Sequence, residues 1–138
     1  MQNIHAGCIS YKNKGILILG DSGTGKSDLA LRMIMDKGAE LVSDDRTDIE
    51  NIDGRLFASA PQNLAGLMEV RGVGILNFPF KKKTQIDLLV QLVKNPQEIE
   101  RLPEKENSTL ENVILPQIKL YAFESSVLNK LILALGVS

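Results

Sequence analysis

The apolar run Ile16, Leu17, Ile18, Leu19, led by Gly15, carries no polar position, the pattern of a strand buried on both faces of an α/β sheet. From Ser27 the residues Leu29, Ala30, Met33 and Ile34 recur at helical spacing, and Gly38 falls where a left-handed helix terminator belongs. Strand, loop and helix are therefore expected in succession. Residues 40–43 read as a second strand that ends in Asp44 and Asp45, and Thr47 to Ser59 as a hairpin turning at Asp53 and Gly54. Pro61 suits the first position of a short helix carrying Leu64, Leu67 and Met68, which runs into Glu69, Val70, Arg71 and Gly72, with a strand from Val73 to Phe78 after it. Ile86, Leu88, Val90 and Leu92 alternate with other residues within Gln85 to Val93, and Ile118, Leu120 and Ala122 repeat the pattern, so two antiparallel partners in a mixed sheet are expected. Between them Lys94 to Glu111 is polar, holds Pro96 and Pro103 and has no sustained period, which reads as a long surface excursion, functional or mobile. Near the end Val127, Leu128, Leu131, Ile132 and Leu135 form one helical stripe, capped by Ser125 or Ser126 and closed by Gly136.

Composition narrows the function classes. At 138 residues the chain is the size of one ordinary domain, and residues 1–138 are read as a single unit. A formal net charge of −1 supplies no basic surplus for nucleic acid or anionic membrane, so neither partner is expected. The single cysteine, Cys8, lies among apolar residues and reads as a small core side chain. No run approaches the roughly 18 apolar residues of a membrane span and the first residues do not resemble a leader, which makes a cytoplasmic protein the expectation.

The chemistry begins at Gly20, Asp21, Ser22, Gly23, Thr24, Gly25, Lys26 and Ser27, which fit the phosphate-loop spacing Gly-x-x-x-x-Gly-Lys-Ser/Thr. Background residue usage yields such a match in roughly one chain in a few hundred of this size, and here the preceding strand and following helix supply the required context. Glycines let backbone N–H groups fold around phosphate oxygens, where the positive end of the following helix adds attraction. Lys26 then reaches the terminal phosphates, and the Ser27 hydroxyl can ligate Mg²⁺. A nucleoside triphosphate, ATP, is the implied ligand.

Other residues leave two readings each. Asp44 and Asp45 follow a strand with only two clear apolar residues. They are either a turn or cap pair, or two carboxylates dividing labour between Mg²⁺ and the proton of an attacking hydroxyl. Glu69 and Arg71 share a face if their segment is extended, Glu69 reaching a metal and Arg71 a phosphate; otherwise they form a surface ion pair. His5, the only histidine, is either structural or a proton or charge partner for phosphate. Lys81, Lys82 and Lys83 read as a solvated turn, and an aromatic content of 4% without tryptophan signals no base-stacking surface.

In combination the segments GDSGTGKSDLAL, LVSDDRTDI and LMEVRGVGILNF resemble the bacterial HPr kinase/phosphorylase family, in its order and spacing, and the last is similar to the family signature. The resemblance covers nearly the whole chain but only the family's catalytic domain, as in the short form of alphaproteobacteria. It implies an ATP-dependent, Mg²⁺-requiring kinase that phosphorylates a serine of the phosphocarrier HPr or an HPr-like carrier and can reverse the reaction. It also implies a fold related to phosphoenolpyruvate carboxykinase, an α/β mixed sheet bearing the phosphate loop with flanking helices. By resemblance His5, Lys26, Asp45 and Arg101 are catalytic, with Asp44 a substitute for Asp45 as base, while Ser27 and Glu69 are magnesium ligands. Long-form members are hexamers, which leaves a homo-oligomer open for a short form.

Two segments depart from the family pattern. Residues 77–83 replace a stretch of small residues, and residues 115–120 stand where an arginine- and glycine-rich loop linked to phosphorylase activity is expected. The departures bear on dephosphorylation. Two rival functions share the same loop: a small-molecule kinase or simple NTPase, and a nucleotide-binding regulator that has lost chemistry.

Overall fold

The structure, a computed structural model, describes residues 1–136. In chain order its elements are strands β1 (Gln2–His5), β2 (Gly7–Tyr11) and β3 (Lys14–Leu19), helix α1 (Lys26–Lys37), and strands β4 (Glu40–Ser43), β5 (Arg46–Ile52) and β6 (Arg55–Ser59). Strands β7 (Leu67–Val70), β8 (Gly74–Asn77), β9 (Thr84–Leu92), β10 (Glu106–Leu110) and β11 (Val113–Leu120) and helix α2 (Val127–Leu135) follow. Among the described residues no helix is long and apolar enough to cross a membrane.

A nine-stranded mixed sheet runs β1-β5-β6-β9-β3-β2-β4, with β11 joined to β9 and β10 to β11. The uniform apolarity of β3 follows from its place inside this sheet, because alternate side chains of a strand go to opposite faces. Ile16 and Ile18 join Leu88, Val90 and Leu92 of β9 under Leu29, Ala30 and Met33 of α1 and Val127, Leu128 and Leu131 of α2. Leu17 and Leu89 go to the other face, where Ile49, Leu56 and Ala58 of the β5–β6 arm fold over Ala6, Cys8 and Val42. The sheet thus carries helices on one face and its own outer strands on the other. Cys8 is buried in this second layer, where desolvation pushes its thiol pKa far up, as suits a core side chain.

Several sequence expectations hold. α1 ends on Gly38 at φ 74°, α2 ends on Gly136 at φ 74°, and the β5–β6 hairpin turns at Asp53 and Gly54, both left-handed. Ser126 occupies the N-cap position of α2, although its hydroxyl makes no capping hydrogen bond.

Others are corrected. The helix expected from Pro61 is a single 3-10 turn, Gln62–Leu64; Gly66 at φ 77° breaks it, and Leu67 and Met68 belong to β7. β7 pairs antiparallel with β8, and this hairpin is tied at its base by the Phe78 amide, which donates to the Gly66 carbonyl at 2.8 Å. The strand expected from Val73 to Phe78 is shorter, because Val73 belongs to the turn. β9 and β11 pair in parallel, not antiparallel. The reversal is taken up by β10, which lies at the end of the polar excursion and joins β11 through a two-residue turn at Glu111 and Asn112, both at positive φ. Leu115 to Leu120 is accordingly part of a sheet strand and not a loop.

Because Leu89 is fully buried in β9 between β3 and β11, Leu89→Ala should cost about 2–5 kcal/mol in urea denaturation. Leu133→Ala, on the exposed side of α2, should stay within about 0.5 kcal/mol. Equal midpoints for the two variants would contradict this assignment of the core.

Candidate functional site

β3 ends at Leu19 and the chain turns at Gly20, whose φ of 155° and crowding allow no side chain: a Cβ there would lie 2.6 Å from Thr24 Oγ1. The loop is braced internally. Thr24, buried, donates its hydroxyl to the Asp21 carbonyl at 2.7 Å, and Lys26 Nζ donates to the carbonyls of Gly20 at 2.7 Å and Asp21 at 3.2 Å. Gly25, at φ 95°, is the N-cap of α1, and a Cβ on it would lie 2.8 Å from the Ala122 Cβ. The first intrahelical bond runs from the Leu29 amide to the Gly25 carbonyl. The preceding amides therefore face the loop mouth, where a helix N-terminus attracts anions.

The two acids after β4 point to different partners. A tight turn holds them: the Arg46 amide donates to the Asp44 carbonyl at 2.7 Å, and the Ser43 hydroxyl donates to the Arg46 carbonyl. Asp44 turns inward, its Oδ1 accepting from Ser27 Oγ at 2.7 Å and its Oδ2 from the Glu69 amide at 3.4 Å. Asp45, left-handed at φ 67°, turns outward, and its Oδ1 lies 2.9 Å from His5 Nε2. His5 reaches this position because the β1–β5 ladder sets it opposite Arg46. Burial pushes the Asp44 carboxyl above its ordinary pKa; the Ser27 and Glu69 hydrogen bonds oppose this, while the charges of Asp45 and Glu69 add to it.

A cleft of about 500 Å³ opens between these groups, lined by His5, Ser22, Gly23, Gly25, Lys26, Ser27, Asp45, Glu69, Arg71 and Phe123 among others. Asp21 and Thr24 line instead a neighbouring hollow of about 430 Å³ with Lys94, Glu98 and Lys119, where Lys94 lies 3.5 Å from the Asp21 carboxylate. Arg101 stands apart, exposed and in the lining of neither space. Arg71, weighed from sequence as half of an ion pair, makes none with Glu69 among the described residues and faces the cleft from the β7–β8 turn. Phe123 was invisible to sequence reasoning, since a lone phenylalanine between a strand and a helix carries no motif.

Among the described residues no three carboxylate, imidazole or thiol side chains converge as a ready metal cage. The donors present are the Ser27 hydroxyl, the half-buried Asp44 carboxylate and Glu69. Such a sparse set of hard oxygens fits Mg²⁺, which keeps waters and takes substrate phosphate oxygens, and a carboxylate crowded by two like charges is one that a cation would relieve.

The family model for the HPr Serine kinase C-terminal domain matches residues 1–135. The HPr kinase/phosphorylase of Clostridium tetani is 45% identical over 76 residues, which cover 55% of this chain and 25% of that protein. That of Lactobacillus acidophilus is 35% identical over 129 residues, covering 86% of this chain and 40% of that one. The chain thus spans between a quarter and two-fifths of the length of these curated relatives. The solved structure of the Hpr(Ser) kinase/phosphatase from Coxiella burnetii superposes with a TM-score of 0.82 at 28% identity, covering 99% of this chain and 94% of that one.

The raised pKa of Asp44 fixes a sign. A carboxyl whose folded pKa lies above its unfolded value favours the fold most fully below the unfolded value, 3.8, and loses that contribution as pH rises through the folded value. The stability of Asp44→Asn relative to wild type should therefore grow from pH 3 upward and level off above the folded pKa, in thermal melts without nucleotide or metal. A difference that shrinks with rising pH would contradict the assignment.

Proposed function

Since the chain belongs to the HPr serine kinase C-terminal domain family, we propose that it is an ATP-dependent, Mg²⁺-requiring kinase of a serine on HPr or an HPr-like phosphocarrier, with residues 1–138 as one catalytic unit. The observation that carries the reading is the divergence of the two acids. Asp44 engages Ser27 at the helix N-terminus, and Asp45 engages His5 in the open cleft.

The loop amides and Lys26 would hold the triphosphate. Lys26 Nζ now donates to its own loop's carbonyls, and phosphate oxygens can accept those hydrogen bonds in their place. Ser27, Asp44 and Glu69 would hold Mg²⁺ directly or through its waters, and the ion would supply charge neutralisation on the phosphates. Asp45, exposed and hydrogen-bonded to His5, is suited to accept the proton of the serine hydroxyl as its oxygen bonds to the γ-phosphorus and the bond to ADP breaks. His5 orients that carboxylate. Arg71 lines the cleft and takes, in this reading, the place of Arg101, which the family resemblance made catalytic, as a positive charge beside the phosphates. In the reverse direction protonated Asp45 would return its proton to the serine oxygen. Residues 115–120 belong to strand β11.

Incubation with γ-labelled ATP, Mg²⁺ and purified HPr should label a serine. Lys26→Ala should abolish label and ATP binding together. Asp45→Asn should lower kcat about 10²- to 10⁴-fold while changing ATP affinity by about twofold or less. ATP binding without label would favour a nucleotide-binding regulator, and wild-type turnover by Asp45→Asn would remove the proposed base.

A further inference from the structure

β3, β9 and β11 are parallel, and β4, antiparallel to β2, which is antiparallel to β3, shares their direction. The carboxyl ends of these strands, where α/β sheets bind ligands, therefore form one rim, in the order Asp44 and Asp45 after β4, Gly20 after β3, and Tyr121, Ala122 and Phe123 after β11. The acids flank the phosphate loop on one side and Phe123 flanks it on the other. A triphosphate whose terminal group faces the acids must direct its nucleoside end away from them.

Phe123 is built to receive it. The ring is 55% exposed and lines the cleft, and a Cβ on Gly25 would come within 2.9 Å of its Cζ, so the ring rests against the loop backbone. Tyr121 fixes its angle by an edge-to-face contact, with centroids 5.7 Å apart and planes at 80°. The segment is anchored from α1: Arg32 Nη2 donates to the Ala122 carbonyl, while Arg32 Nε lies 2.9 Å from Asp28 Oδ2 as an ion pair without an aligned hydrogen bond. An exposed aromatic ring, set between Tyr121 and the Gly25 backbone at the mouth of a phosphate loop, offers a flat apolar face to a nucleobase.

Resting on the reading of the cleft as a nucleoside triphosphate site, we propose that Phe123 stacks on the purine of the bound nucleotide and sets the preference for nucleotide over bare polyphosphate. The ring binds and orients; it takes no part in proton or phosphoryl transfer.

The test is calorimetric binding of Mg-ATP and of Mg-tripolyphosphate, which lacks a base, to wild type, Phe123→Ala and Phe123→Trp. Phe123→Ala should weaken ATP about 5- to 100-fold and tripolyphosphate by about twofold or less, and Phe123→Trp should restore ATP affinity. Equal losses for both ligands would make Phe123 a brace for Gly25 and overturn the proposal, as would unchanged ATP affinity in Phe123→Ala. Failure of the wild-type chain to bind ATP would sink the functional reading itself, whereas tight ATP binding that ignores Phe123 would sink only this inference.

Discussion

The hydrogen bond from the Ser27 hydroxyl to Asp44 joins the first turn of α1 to the far end of β4, the strand that follows α1 in the chain. It fixes the direction of the first of the two acids, to which the second is tied by the same turn. With Asp44 drawn toward α1, the next residue must reverse direction, and Asp45 does so by adopting a left-handed conformation that costs on the order of 1 kcal/mol for a residue other than glycine. That reversal carries the second carboxylate out to His5. The Glu69 amide closes the arrangement from the opposite side and brings the β7–β8 hairpin, with Arg71, over the cleft.

The cost of this arrangement is a half-buried carboxylate beside two others, stabilised only by a hydroxyl and an amide. A packed apolar residue in place of Asp44 would be cheaper for folding. Retention of a crowded anion at the root of a phosphate loop is intelligible if a cation and a triphosphate complete the charge balance. Isolated strain of this kind belongs to a binding site more than to a core.

Legibility in the sequence followed the reach of the interactions. The loop, α1 and the β5–β6 hairpin were readable because each depends on neighbours a few residues away: glycines at positive φ, a helical stripe, a two-residue turn. The direction of β11 was not, because the alternation of Ile118 and Leu120 reports burial and says nothing about polarity; the turn at Glu111 and Asn112 decided it. β7 was mistaken for helix because Leu64, Leu67 and Met68 fit a helical period by coincidence, and Gly66 was the breaker that outweighed it. β2 is legible only in part, as an apolar segment around Cys8, because its turn at Lys12 and Asn13 holds two residues other than glycine at positive φ. In the site, motif spacing pointed to Lys26 and Ser27, while His5, Asp44, Asp45, Glu69 and Arg101 were assigned their roles only by the family resemblance. Which acid faces which partner was decided by the backbone of one turn, which no spacing encodes.

The central claim, that the two adjacent acids serve different partners, is tested most directly by the Mg²⁺ affinity of the chain in the presence of a non-hydrolysable ATP analogue, compared for Asp44→Asn and Asp45→Asn. The account predicts that Asp44→Asn weakens the metal by about 10- to 100-fold while Asp45→Asn changes it by about twofold or less. Weakening confined to Asp45→Asn, or equal in both variants, would contradict it.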